Sequence, residues 1–193
     1  RIIRTHKFDS LYEYANSFCD FLVAPPDYIK SHYSNKANTI IQECLNIIED
    51  YFKQKLSTID FQEENNISDE LIFQIYYESL IELNVHADGW KTSDSMRDYT
   101  IEIFESKYSE KIETDLKQKF EDINFDTVNK AKQFIFKYIR SSNGIEGYCG
   151  IVIAGFGHHD IYPKLKHFNI YGLYDDIVKI DQFTLEIDNG NSA

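Results

Sequence analysis

The sequence predicts an α+β fold in which helix-rich residues 1–141 precede an antiparallel sheet of about three strands. Three observations lead there. Apolar residues recur at three- and four-residue spacing through the first two thirds of the chain, the period of helices that bury one face. Three prolines and eight glycines in 193 residues leave few breaks in that region. Beyond about residue 141 the pattern changes to short runs rich in β-branched residues and bounded by glycine.

Ser10-Leu11-Tyr12-Glu13 has capping-box form. It opens a helix with Leu11, Tyr14, Ala15, Phe18 and Leu22 on one face, stopped by Pro25-Pro26. A second helix is expected over about 37–56, where Ile41, Cys44, Leu45, Ile48 and Phe52 form a stripe. After a polar loop at 57–66, Ser68 caps a third helix running to about Asn84, with acids Asp69 and Glu70 in its first turn and Ile67 and Ile72 spaced as a hydrophobic staple. His86-Ala87-Asp88-Gly89-Trp90 reads as a turn.

A long helix is expected from about 94 to 120, striped by Ile101, Phe104, Tyr108, Ile112, Leu116 and Phe120. Asp126 starts a further one, with Val128, Ala131, Phe134, Ile135, Tyr138 and Ile139 inward, ended by Ser141-Ser142-Asn143-Gly144. Residues 148–156 read as a strand buried on both faces. Strands at about 164–171 and 176–187 follow, joined near Gly172. Their connections are too short for crossovers, so the pairing is antiparallel.

Composition narrows the function classes. Hydrophobic residues make up 42% and charged residues 27%, ordinary values for a globular domain. A net charge of −12 and a pI near 4.9 argue against nucleic acid and anionic membranes as partners. No apolar run approaches the roughly 20 residues of a membrane helix. Cys19, Cys44 and Cys149 lack disulfide or CxxC spacing, which predicts reduced thiols in a cytoplasmic protein. Arg1 stands first and no signal-peptide pattern follows; a piece of a longer chain is the simplest expectation.

Gly150-Ile151-Val152-Ile153-Ala154-Gly155-Phe156-Gly157, followed by Ile161-Tyr162-Pro163-Lys164-Leu165, resembles the central strand–turn–strand of proteasome-like proteins. More specifically it is similar to an uncharacterised bacterial group of that family. Lys7-Phe8-Asp9-Ser10-Leu11-Tyr12-Glu13-Tyr14-Ala15 resembles an early segment of the same group. The two matches cover about thirty residues at opposite ends of the chain, in the right order.

The resemblance implies an Ntn-hydrolase-like αββα sandwich, with residues 1–193 as a single domain carrying a helical insertion at about 57–125. It implies amide or peptide hydrolysis by an N-terminal Thr, Ser or Cys whose own amine serves as base. Those positions would lie upstream of Arg1, so this chain would be a scaffold half without a catalytic residue of its own, and no cofactor is implied. The alternative is a catalytically inactive assembly or protein-binding module. Two positions depart from the group: Cys149 stands where Ser is usual, and His158-His159-Asp160 replaces an acidic turn.

Those departures invite chemistry. A nucleophilic Cys149 needs a base close enough to lower its pKa. His158 and His159 lie beyond the other end of the strand, about 20–30 Å away along an extended chain. An inert buried thiol is therefore the expectation. His158, His159 and Asp160, with Asp175-Asp176, have metal-ligand types, but adjacent histidines point apart and a site needs three or four ligands. His86, Asp88 and Trp90 read as a helix-packing corner. No nucleotide-binding glycine motif opens a helix. If the 148–156 strand lacks a partner sheet within the chain, self-association is the expected cover, giving a homo-oligomer. A peptide or protein is the expected substrate or binding partner.

Overall fold

The computed structural model describes residues 10–23, 36–58, 68–142, 148–156 and 164–186, with side chains as far as Phe183. The described elements are five helices and then a three-stranded antiparallel open sheet, an α+β chain. They divide into two compact units, Ala37–Thr92 with Arg97–Gly144, and Arg1–Lys36 with Ser93–Met96 and Ile145–Ala193.

The first unit is helical. Helix α2 (Ala37–Thr58) buries Ile41, Cys44, Leu45, Ile48 and Phe52, the expected stripe. Helix α3 (Asp69–Asp88) is capped by Ser68, whose hydroxyl accepts from Leu71 N at 3.3 Å. It continues through the expected turn at His86–Asp88, because no residue before Gly89 interrupts it and Ala87 is buried. Trp90 then packs on Phe134 and Tyr138, with ring centroids 5.9 and 5.7 Å away, so it does sit at a packing corner.

Helix α4 (Ile101–Lys119) starts later than the expected 94. Thr100 is its N-cap, accepting from Ile103 N, while Asp94–Met96 form a separate 3₁₀ turn. Its buried stripe is Phe104, Tyr108, Ile112 and Leu116. Helix α5 (Phe125–Arg140) is capped by Asn124 rather than opened by Asp126; Asn124 Oδ1 accepts from Thr127 N at 2.8 Å. All six of its expected inward residues are buried. Asn84 ties α3 to α5, its Nδ2 donating to Lys130 O at 2.9 Å.

The second unit holds α1 (Leu11–Val23), the 3₁₀ turn and the sheet. Ser10 Oγ accepts from Glu13 N at 3.2 Å, the N-terminal bond of a capping box. The strands are β1 (Cys149–Gly155), β2 (Lys164–Tyr174) and β3 (Ile177–Glu186), in the order β1-β2-β3. Ile151 faces Phe168 and Val152 faces His167 across the first pair; Phe168 faces Gln182 and Ile170 faces Ile180 across the second.

Gly172 does not join β2 to β3. It lies at a bulge within β2, at φ +135°, and Asp175-Asp176 make the connection, with Asp175 at φ 56°. A strand can bend at such a glycine without ending, because glycine alone tolerates that backbone. Strand β1 is likewise not central or buried on both faces. Among the described residues it lies at the sheet edge, and its side chains alternate between exposed and half-buried.

The core of this unit lies between α1 and one sheet face. Ala15, Phe168, Leu173, Val178 and Ile180 are buried there, with Phe18, Leu22, Ile151, Ile153 and Ile170 packed against them. Residues Ile67, Pro25 and Pro26 lie outside the described residues, so the staple and the stop assigned to them have no structural description.

Candidate functional site

The side of the sheet away from α1 is where β-strand alternation puts the remaining chemistry. Two regions of this face differ. Toward β3 it is polar and closed. Lys179 and Asp181 are 0% and 1% exposed. Asp181 Oδ1 accepts from Ser93 Oγ at 2.7 Å and from Asp94 N at 3.2 Å, and Asp181 Oδ2 accepts from Tyr171 OH at 3.2 Å. The Lys179 ammonium lies 5.4 Å from the centre of the Tyr171 ring and 5.2 Å from that of Tyr174, a cation–π arrangement. Burial pushes the Tyr171 phenol up, a hydrogen bond with Asn169 pulls the other way, and the Asp181 charge adds to the rise. The phenol therefore stays a neutral donor at pH 7.

The 3₁₀ turn also closes the outer edge of β3. Ile180 N donates to Ser95 Oγ at 2.8 Å, and Ile180 O lies 3.0 Å from the Ser93 hydroxyl. The Ser95 bond meets a ladder N–H that a strand edge would otherwise present bare.

Toward β1, and at the Phe183 end of β3, the same face is apolar and open. Tyr148, Val152, Phe156 and Phe183 are 58%, 56%, 66% and 44% exposed. His167 lies between Val152 and Phe183 in register, its ring 5.8 Å from that of Phe183. Gly150 makes room for this imidazole: a Cβ there would stand 3.2 Å from His167 Nε2. Among the described residues β1 pairs with β2 alone. Cys149–Gly155 contain no charge and no proline, the usual devices that blunt an edge.

Of the three residues considered for chemistry, Cys149 is exposed, at the edge-strand start opposite Ile170, which corrects the expected buried thiol. The sequence run suggested burial, but Cys149 stands at the first position of β1, on the face of Ile151 and Ile153 and outside the residues that pack against the α1 core. His158 and His159 lie outside the described residues. Among the described residues no group of three His, Cys, Asp or Glu side chains is placed to hold a metal ion. No helix there is long and apolar enough to cross a membrane.

The Ser93–Asp181–Tyr171 cluster was not anticipated. Ser93 and Asp181 are 88 positions apart, beyond the reach of local patterning. One signal was present: Lys179 and Asp181 are charges at alternate positions of an apolar strand, so they share a face and need partners there.

No protein-family model matches the chain, and neither a curated protein nor a solved structure was found to match it.

Proposed function

We propose that this chain is the scaffold portion of a proteasome-like, Ntn-hydrolase-type sandwich, and that the open part of its sheet is an assembly surface. One observation carries the reading. The sheet is packed by α1 on one face, while the opposite face exposes Val152 and Phe156 at β1 and Phe183 on β3, and among the described residues the β1 edge has neither charge nor proline. An αββα architecture asks for such a layer: helices on one side, a second sheet on the other. In the 193-residue chain the cover is a second copy presenting the same face. The matches at Lys7–Ala15 and Gly150–Leu165 support the family part of the reading.

In this reading amide hydrolysis, where it occurs, belongs to an N-terminal Thr, Ser or Cys upstream of Arg1, and the described sheet positions and buttresses that centre. Intact-mass measurement and N-terminal sequencing of the natural protein test this. A mature chain starting with one of those residues, whose replacement by Ala abolishes amide cleavage, supports the hydrolase. A natural chain without such a residue removes the hydrolase and leaves an assembly module, the alternative that the open face equally supports.

A further inference from the structure

The helical unit contains a cleft of about 290 Å³ between α2, α3 and the end of α4. Its walls are apolar and largely aromatic. Leu45 and Leu116 are buried, and Phe52, Tyr76 and Phe120 form a mutual cluster with centroid separations of 5.3, 6.1 and 4.6 Å. The rings are tilted or edge-on to one another and in direct contact, so they form one packed aromatic wall of the cleft. Burial, and behind it the Glu49 charge, pushes the Tyr76 phenol well above its ordinary range, so it remains a neutral hydroxyl.

The rim has the opposite character. Lys53 and Lys119 converge there on one carboxylate: Glu49 Oε1 lies 2.7 Å from Lys53 Nζ, and Glu49 Oε2 bonds Lys119. Two ammonium groups share one carboxylate, an excess of one positive charge among the lining side chains, with the Asp50 charge also acting on Lys53. Lys53 is 62% exposed and pairs with Glu49 one helical turn away, a solvent-screened pair for which an incoming anion can compete. An aromatic-walled cleft with a few converging polar groups is the usual form of a small-molecule site, and this one stands at the small end of the range of about 300–1,000 Å³.

We infer that this cleft binds a small apolar carboxylate. The ring or short chain of the ligand lies in the cleft against the packed wall of Phe52, Tyr76 and Phe120, and its carboxylate competes with Glu49 for Lys53 and Lys119. Charge complementarity selects the anion, and the cleft volume limits the apolar part to about the size of a fused two-ring system. The site is independent of the sheet and of the assembly reading.

Isothermal titration of the full chain with 1-naphthoate, beside its neutral analogue 1-naphthalenemethanol, tests the assignment. The expected result is saturable one-to-one binding of the acid, at least about 10-fold tighter than the alcohol, about one lost ion contact in free energy. K53M/K119M changes exposed side chains and keeps the fold, and it should weaken the acid about 10-fold or more while leaving the alcohol unchanged. Aromatic NMR signals of Phe52, Tyr76 and Phe120 should shift on titration. Absence of saturable binding at millimolar acid, equal affinity for the alcohol, insensitivity to the lysine changes, or shifts elsewhere would each overturn it.

Discussion

The Ser93 hydroxyl donates to Asp181 across 88 residues of chain, at 2.7 Å and fully buried. With Asp94 N and Tyr171 OH on the same carboxylate, this bond fastens the 3₁₀ turn to β3. It also explains why the helical periodicity beginning at 94 does not form one helix. Ser93 and Ser95 are engaged by β3, and the helix restarts at the Thr100 cap. Asp181→Ala leaves Asp94 N and Tyr171 OH without their acceptor, while the Ser93 hydroxyl can turn to Ile180 O, and should cost about 2 kcal/mol, at roughly 1 kcal/mol per bond. Ser93→Ala should cost about 1 kcal/mol. Urea unfolding midpoints of the two variants measure this; equal, near-zero effects would refute the clamp.

Gly172 has a backbone reserved for glycine and close company. Its φ is +135°, and a Cβ built there would stand 2.8 Å from Lys36 Cδ. Lys36 donates from its backbone N to Leu173 O at 2.9 Å and from Nζ to Tyr171 O at 3.2 Å. Gly172→Ala is therefore expected to destabilise by about 1–3 kcal/mol. Adding K36A should recover part of the loss by clearing the clash but not the strained φ, which thermal unfolding of the single and double variants resolves.

Glu49 gives a pH signature. Hydrogen bonds from Lys119 and then Lys53 hold its carboxyl down at about 2, against an ordinary value of 4.5. A depressed folded pKa stabilises above the unfolded value and loses that contribution as the carboxyl protonates. Stability from this group is thus complete above about pH 4.5 and declines toward pH 2. Solvent screening at this exposed rim limits it to at most about 1 kcal/mol. Glu49→Gln should flatten the pH dependence of the unfolding midpoint inside that window and leave it unchanged at pH 7–8 apart from a constant offset.

The three thiols should separate by access. Cys149 is exposed, Cys19 is half-buried with its pKa raised first by burial and then by Asp20, and Cys44 is fully buried. Alkylation of the native chain at pH 7.5 should label Cys149 first, Cys19 slowly and Cys44 only on unfolding. Peptide mapping of a time course reads the order. Cys149 protection that disappears on dilution would locate the assembly contact at β1.

Much of this molecule was legible in its sequence, and the parts that were not share a cause. The stripe Val128, Ala131, Phe134, Ile135, Tyr138 and Ile139 is fully buried because helical spacing is a local property. The Ser68 cap and the antiparallel strand order follow from equally local rules. What failed depends on distant neighbours. The composition of β1 specifies a strand but not which layers surround it, so its edge position and the exposure of Cys149 were invisible. The bulge at Gly172 looked like a strand end because a glycine serves both. The Asp181 cluster needed residues 93–95 brought beside β3, which no spacing rule contains.

The assembly claim is tested most directly by light scattering on the 193-residue chain, beside Val152→Lys. Val152 is 56% exposed, so the substitution should change stability by no more than about 0.5 kcal/mol. The account predicts a mass that is a multiple of 22.7 kDa for the unaltered chain at about 100 μM and 22.7 kDa for Val152→Lys. An unaltered chain that is monomeric at that concentration, or a Val152→Lys chain that associates to the same degree, would contradict it.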